Sequence, residues 1–292
     1  MSEFIECNAG QYIPSNLKLF KADLLRLGKT NDGGYVVDVK SLESSTILIS
    51  FGYGHEFTFE EDYLSKMAGY KILRKVLLFD GSISLFSVVK TLLINLFKFP
   101  YRYIKNTEKN YLSTSFKNLS NFFRLILNSH VKFSSQYIGS GKNQISLQSI
   151  ITSNQKVFLK MDIEGNEYNW LLNTSENDLL SFKQIVMEFH GINDNSWGAS
   201  YQQKFECFKK LSNTHYLIHI HGNNCGHLFK YEDFTFPVTP EITLVNKNKY
   251  KIGNPLSIFG FSISTHKIIL NILSFFTTSI VIKSYKYDPS FD

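Results

Sequence analysis

Residues 156–172 read KVFLKMDIEGNEYNWLL, and this stretch decides the fold. Val157-Phe158-Leu159 is a short, partly β-branched apolar run of the kind that forms a strand buried on both faces. It runs into Asp162 and Glu164, then Gly165, then a helix-like segment carrying Trp170, Leu171 and Leu172. In an open parallel sheet, ligands sit in the crevice outside the carboxyl ends of the strands, so acids placed there are candidates for chemistry. The competing reading is that Asp162 only caps the following helix, a position Asp favours.

Working outward, Thr46–Ser50 (TILIS) is a continuous apolar run that ends in Phe51-Gly52-Tyr53-Gly54, and HEFTFEEDYLSKMA follows with helical character. Strand, glycine turn and helix are the layout of a nucleotide-cofactor site, because glycine lets the backbone approach the ligand and a helix start offers free N–H groups. The three-glycine dinucleotide fingerprint is absent. Val76–Phe79 is the next strand, with Asp80 at its tip, where an acid can accept hydrogen bonds from ribose hydroxyls. A turn-forming Asp before Gly81 is the plainer reading. Further strands are expected over Val131–Gly139, over Gln184–Phe189 with Glu188 and His190 at its end, over Tyr216–Ile220, and over Glu241–Asn246. Ile145–Ile151 leads into the strand at 157. Six or seven strands with helices between them give an α/β, doubly wound, mostly parallel sheet.

Ahead of this core, residues 1–25 read as an irregular lead-in with a short amphipathic piece from Leu17 to Leu25. Asn31-Asp32-Gly33-Gly34 is dense turn chemistry that enters a strand at Tyr35, with Arg26 and Asp32 near a ligand. Residues 84–128 break the rhythm after the second core strand. LFSVVKTLLINLFKF and FKNLSNFFRLIL are two helical runs, read as an inserted pair that covers the cofactor crevice, makes a subunit contact or lies on a membrane. Neither reaches the roughly 18–20 apolar residues needed to span a bilayer. An apolar extension occupies 255–292, and its run Ile268–Ile282 is likewise too short to span.

The net charge of +6 is unevenly placed: between Gly81 and Met161 there are eleven Lys or Arg and one acid, Glu108. Such a segment invites an acidic partner, whether a membrane surface, a nucleic acid or an anionic substrate, unless it is simply a solvated lysine-rich face. Three scattered cysteines with no CxxC pair argue against a zinc ribbon or disulfide scaffold and for a reducing compartment. The polar start MSEFIECNAGQYIP lacks the basic and apolar regions of a secretory signal.

Acids, glycines and a histidine at successive strand tips carry more weight together than singly. Taken in order, RLGKTNDGGYVV, ISFGYGHEFTFE, LFD, KMDIEGNEYNWL, VMEFHGI, HIHGNN and EITLVN resemble the FkbM-type S-adenosylmethionine-dependent methyltransferases. The resemblance spans roughly Arg26 to Asn246 and leaves the 84–128 insertion and the tail outside. It implies one Rossmann-like methyltransferase domain over residues 1–292 that modifies hydroxyls of sugars or sugar-derived groups; the expected location is the cytoplasm or the inner face of the membrane.

Carried onto this chain, the resemblance implies that Gly52 and Gly54 cradle the methionine end of the cofactor. Asp80 holds the ribose, Gln136 to Gly139 border the adenine, and Asp162 lies under the transferred methyl. The family acid at the second strand tip is often Glu with Pro two residues on; here the stretch is Asp80-Gly81-Ser82. Arg26, Asp32, Glu164 and Asn223 are candidate acceptor contacts. His190 and His221 are candidate bases for the hydroxyl proton, each with the alternative of a structural histidine. Asp162, Glu188 and His190 are alternatively ligands for Mg²⁺ or Mn²⁺. The expected acceptor is anionic, homo-oligomers are admitted, and no nucleic-acid partner is expected, for want of an aromatic RNA-binding module. The rivals are an NAD-dependent oxidoreductase on a similar sheet and a non-catalytic membrane- or anion-binding protein.

Overall fold

The computed structural model describes residues 4–6, 22–29, 33–66, 74–104, 111–139, 144–151, 156–193, 195–223, 227–231 and 234–248. Strand β1 (Phe4–Glu6) precedes β2 (Leu24–Leu27), β3 (Tyr35–Asp38), α1 (Val39–Ser44), β4 (Ile47–Phe51), α2 (Thr58–Ser65) and β5 (Lys75–Phe79). Two long helices, α3 (Leu85–Ile104) and α4 (Tyr111–Leu127), then separate β5 from β6 (Val131–Ser134). The short elements β7 (Tyr137–Ile138), β8 (Gln144–Ile145) and α5 (Leu147–Ile150) lead to β9 (Val157–Met161), α6 (Glu167–Asn173) and α7 (Glu176–Leu179). Strand β10 (Phe182–Glu188), helix α8 (Tyr201–Thr214) and strands β11 (His215–Gly222), β12 (Leu228–Tyr231), β13 (Phe234–Pro237) and β14 (Pro240–Asn246) follow.

The fold is the expected α/β class. A seven-stranded, mostly parallel sheet has the order β11-β14-β10-β9-β4-β5-β6. Strand β4 runs parallel to β5, pairing Phe51 with Phe79, and β5 runs parallel to β6, pairing Phe79 with Ser134. Strand β14 is antiparallel to both its neighbours, which sets Glu241 opposite Glu188 on one side and opposite His221 on the other. Every residue of β9 and β14 is buried, as in strands covered on both faces, including the polar Lys160, Glu241, Thr243 and Asn246.

Several local expectations change. The lead-in is not irregular throughout: β1 pairs in parallel with β12, and β2 forms a two-stranded sheet with β3. The Val131–Gly139 strand breaks after Ser134, where the Ser134 hydroxyl donates to Gln136 Oε1 at 2.9 Å, and β7 pairs with β8 instead of the main sheet. Ile145–Ile151 is mostly a helical turn, because Ser146 accepts from Ser149 N and caps it. Asp162 does not cap α6, since Asn166 holds that position. Asp32, the Leu17–Leu25 piece up to residue 21, and the 255–292 extension lie outside the described residues.

Contacts divide the chain into two compact units, Arg26–Tyr35 with Glu43–Lys160, and Met1–Leu25 with Val36–Leu42 and Met161–Asp292. In the first, Phe158 of β9 is edge-on to Phe59 and Tyr63 of α2 at 6.0 and 6.1 Å. Helix α4 joins this unit through Phe122, 5.3 Å from the ring of Phe133. In the second, Phe189 stacks on Phe208 of α8 at 4.8 Å and on Tyr168 of α6 at 5.4 Å. Each ring contact of this kind contributes about 0.5–1.5 kcal/mol beyond simple burial.

Candidate functional site

Two groupings of polar side chains stand at loops that follow core strands, one in each unit. The first is built on the turn after β4. Gly52 and Gly54 both take positive φ, +85° and +52°, which a residue with Cβ adopts only under strain. Gly54 has open space where a side chain would stand. The turn is held from below: buried Lys160 donates to the carbonyl of Gly52 at 3.0 Å, and its charge lies 3.7 Å from buried Glu60, which accepts from Ser50 Oγ at 2.6 Å.

Asp80 closes the same turn from the tip of β5. One carboxylate oxygen accepts from Tyr53 N at 2.8 Å and Gly54 N at 3.3 Å; the other accepts from Ser82 N at 2.9 Å and Ser82 Oγ at 2.5 Å. These four donors match the roughly four lone-pair sites of a carboxylate. Gly81 lies directly against the ring of Tyr137, so that any Cβ there would overlap it, and Asp80 N donates to Ser134 O at 3.1 Å. Tyr137 thus lies against the Asp80–Gly81 loop, whereas Gln136 is engaged with Ser134 and Gly139 packs against Gln144. Tyr137, within the stretch expected to border the adenine, is 55% exposed.

Other members of this unit serve as fastenings. Arg26 donates to Lys29 O at 3.0 Å inside the β2–β3 turn, and Lys29 pairs with Glu56. Glu56 in turn accepts from Phe57 N and Thr58 N, both at 3.2 Å, so the start of α2 is covered by its own neighbour instead of offering free N–H groups.

The second grouping stands in the other unit and centres on His190. Asp162, Glu188 and His190 each bring a ligand atom within 4.8 Å of the others. Nε2 of His190 lies 3.3 Å from Glu164 and 3.5 Å from Glu188 Oε1, while Nδ1 lies 3.2 Å from Glu167 Oε1. Glu167 is fully buried and also accepts from Ile163 N and Gly165 N, each at 3.1 Å, so one carboxylate fixes both the DIEG turn and the imidazole. Asn223 donates to Glu188 Oε1 at 3.0 Å. Behind Glu188, Glu241 contacts His221 Nε2 at 2.8 Å, and the other nitrogen of His221 faces His219 at 3.0 Å. His219 and His221 do share a face, as their spacing in a strand requires.

The electrostatics follow from crowding acids in a buried place. Burial, with Asp162 and Glu241 close by, pushes the Glu188 carboxyl up to about 8. Burial alone would lower the His190 imidazolium, but Glu167 first, then Glu188 and Asp162, outweigh it and bring it up to about 9. The neighbouring carboxylates thus favour the protonated form of His190. Carboxylates gathered round an imidazole whose other nitrogen rests on a buried acid also form the pattern by which proteins hold a divalent cation.

Trp197 completes this side and escaped the sequence reading. It has φ +59°, rare for a bulky residue, and its indole lies over Gly165 and Gly191, neither of which could carry a Cβ beneath it. Its ring stands 5.2 Å from that of His190 and is 44% exposed. Glu164, also at positive φ (+54°), presents its carboxylate to solvent beside it.

Compared with known proteins, residues 32–229 match the model of the Methyltransferase FkbM domain. No curated protein matches the chain. The matched span covers well over half of the sequence and takes in the glycine turn, Asp80, the DIEG turn, His190 and His221. The chain belongs to the FkbM methyltransferase family.

Proposed function

We propose that this methyltransferase takes its methyl group from S-adenosylmethionine and delivers it to a hydroxyl of a sugar or sugar-derived acceptor. The observation that supports the donor half is Asp80, which gathers Tyr53, Gly54 and Ser82 and brings the Tyr137 ring over Gly81. In this reading the Gly52–Gly54 turn receives the methionine end and ribose hydroxyls displace Ser82 from Asp80. Adenine lies on Tyr137, flanked by Gln136 and Gly139.

The acceptor half is supported by Trp197 beside the acidic cluster. A flat, partly exposed indole with carboxylates at its edge suits a sugar ring, which offers apolar C–H faces and a rim of hydroxyls. Asp162, Glu164, Asn223 and Trp197 hold that ring. In the reaction the hydroxyl oxygen forms a bond to the sulfonium methyl carbon, the carbon–sulfur bond breaks with its electrons going to sulfur, and the hydroxyl proton passes to solvent water. Asp162, Glu188 and His190 together suit a divalent cation such as Mg²⁺ or Mn²⁺. Bound there, it would lower the hydroxyl pKa and replace the protons that the cluster otherwise keeps. Glu167 holds His190 in the orientation this requires.

Calorimetric titration with S-adenosylhomocysteine tests the donor half. Binding in the micromolar range, weakened roughly tenfold or more by Asp80→Ala and left unchanged by Trp197→Ala, is expected. Absence of binding to folded protein overturns it. Transfer of labelled methyl to a panel of nucleotide-linked and lipid-linked sugars tests the acceptor half. There Trp197→Ala should raise KM for the acceptor, and His190→Ala should abolish turnover while sparing donor binding.

A further inference from the structure

Helices α3 and α4 turn an apolar face both inward and outward. Inward, Val88, Leu92, Phe122 and Leu125 are buried, and Asn95 bonds to Ser115 Oγ across the hairpin at 2.7 Å. Outward, at helical spacing along α3, stand Phe86, Lys90, Leu93 and Phe97; Phe86 is 75% and Phe97 90% exposed. The same spacing along α4 places Phe116, Phe123 and Leu127 outward, the last 79% exposed. An amphipathic helix in water keeps one apolar face and buries it. A second apolar face directed at solvent, carrying phenylalanines on both helices, marks a surface that is covered in use.

Charge identifies what covers it. Between them the two helices carry Lys90, Lys98, Arg102, Lys117 and Arg124 and not one Asp or Glu. Arg124 is engaged with Glu61, whereas Lys90, Lys98 and Lys117 stand exposed on or beside the apolar rows. A second copy of this chain packed through the same face would set two pairs of cationic, acid-free helices against each other, an arrangement that like charge opposes. An anionic lipid surface satisfies both features at once, because headgroups meet the lysines while phenylalanine and leucine enter the acyl boundary. At about 1.5 Å per residue, α3 would lie along the interface for about 30 Å. No described helix is long and apolar enough to cross a membrane, so the contact is interfacial.

We infer that the α3–α4 hairpin docks this methyltransferase on an anionic membrane surface through Phe86, Leu93, Phe97, Phe116, Phe123 and Leu127, with Lys90, Lys98 and Lys117 meeting the headgroups. The inference stands apart from the identity of methyl donor and acceptor.

Co-sedimentation of the full chain with vesicles tests it, using phosphatidylcholine alone and phosphatidylcholine with phosphatidylserine. Binding at least about tenfold tighter to the anionic vesicles, falling with added salt, is expected. Two variants, Leu93→Ser/Phe97→Ser and Lys90→Glu/Lys98→Glu/Lys117→Glu, should each lose it while keeping the wild-type circular dichroism, since the altered residues are exposed. Equal binding to neutral vesicles, no binding to either, or binding retained by either variant overturns the inference. Retention would assign the contact to another segment, such as the apolar run Ile268–Ile282. A wild-type dimer in light scattering that Leu93→Ser/Phe97→Ser converts to monomer, without vesicle binding, overturns it in favour of a second copy.

Discussion

Glu167 Oε1 lies 3.2 Å from Nδ1 of His190 and holds the backbone N–H groups of Ile163 and Gly165 with the same oxygen. The acid two residues beyond the DIEG glycine is thus the joint between the turn after β9 and the histidine after β10. In chemical terms it directs Nε2 toward Asp162, Glu164 and Glu188 and makes the imidazolium the favoured form.

This makes stability pH-dependent with a definite sign. The folded His190 value of about 9 lies above the ordinary 6.5, so its contribution is complete below pH 6.5 and is lost as pH rises through about 9. Glu188, raised from 4.5 to about 8, acts in the same direction, because ionising it is harder in the folded protein than in the unfolded chain. In chelator-treated protein the melting temperature should fall steadily from about pH 6.5 to about pH 9. Glu188→Gln should flatten much of that slope. A melting temperature flat across this range would contradict the described cluster. The ring resonance of His190 gives the direct reading, and Glu167→Gln should move its titration to lower pH.

Gly81 should not tolerate a side chain. Alanine there would displace the ring of Tyr137, which already occupies the space. Gly81→Ala is expected to weaken S-adenosylhomocysteine about tenfold, a loss of about 1.4 kcal/mol. Tyr137→Ala should relieve the clash and leave the double variant no worse than Tyr137→Ala alone. Thermal titration of the three variants with S-adenosylhomocysteine decides the point.

Lys160 is a buried cation whose partners are the Gly52 carbonyl and Glu60. Lys160→Met leaves buried Glu60 without its cation, with only the Ser50 hydroxyl to hold it, and should cost about 3–5 kcal/mol of unfolding free energy. Adding Glu60→Gln should recover much of the loss, since the stranded charge is then gone. Denaturant unfolding of the single and double variants measures both, and equal stability of the two would refute the coupling.

Cys207 is buried on α8 and its thiol is pushed up to about 12, chiefly by burial. It should resist iodoacetamide at pH 8 in the folded protein and react only after unfolding, because the thiolate is the reactive form. Peptide mass spectrometry separates it from Cys7 and Cys225, and rapid native labelling of Cys207 would contradict its placement.

Much of this protein is fixed by local pattern. The apolar runs of β4, β5, β9, β10 and β14 announce buried strands because their side chains need no solvent face, and glycines or acids at their ends announce loops. From those the α/β class, the helical pair at 84–128 and the importance of Gly52, Asp80, Asp162 and His190 all follow. Family order in the motifs supplied the methyltransferase reading. What pattern could not supply was who holds whom. That Asp80 is already saturated by Tyr53, Gly54 and Ser82 depends on strands paired across sequence. That His190 is cationic depends on carboxylates gathered from β9, β10 and α6, since a pKa reflects every charge nearby in space. Trp197 gave no signal because an aromatic residue in a loop looks like any other until glycines far away make room for its ring. For α3 and α4 the pattern left a cover over the crevice, a subunit contact and a membrane surface all open, because apolar residues fall on nearly every face of the helix, and only the tertiary structure decides which of those faces meets solvent.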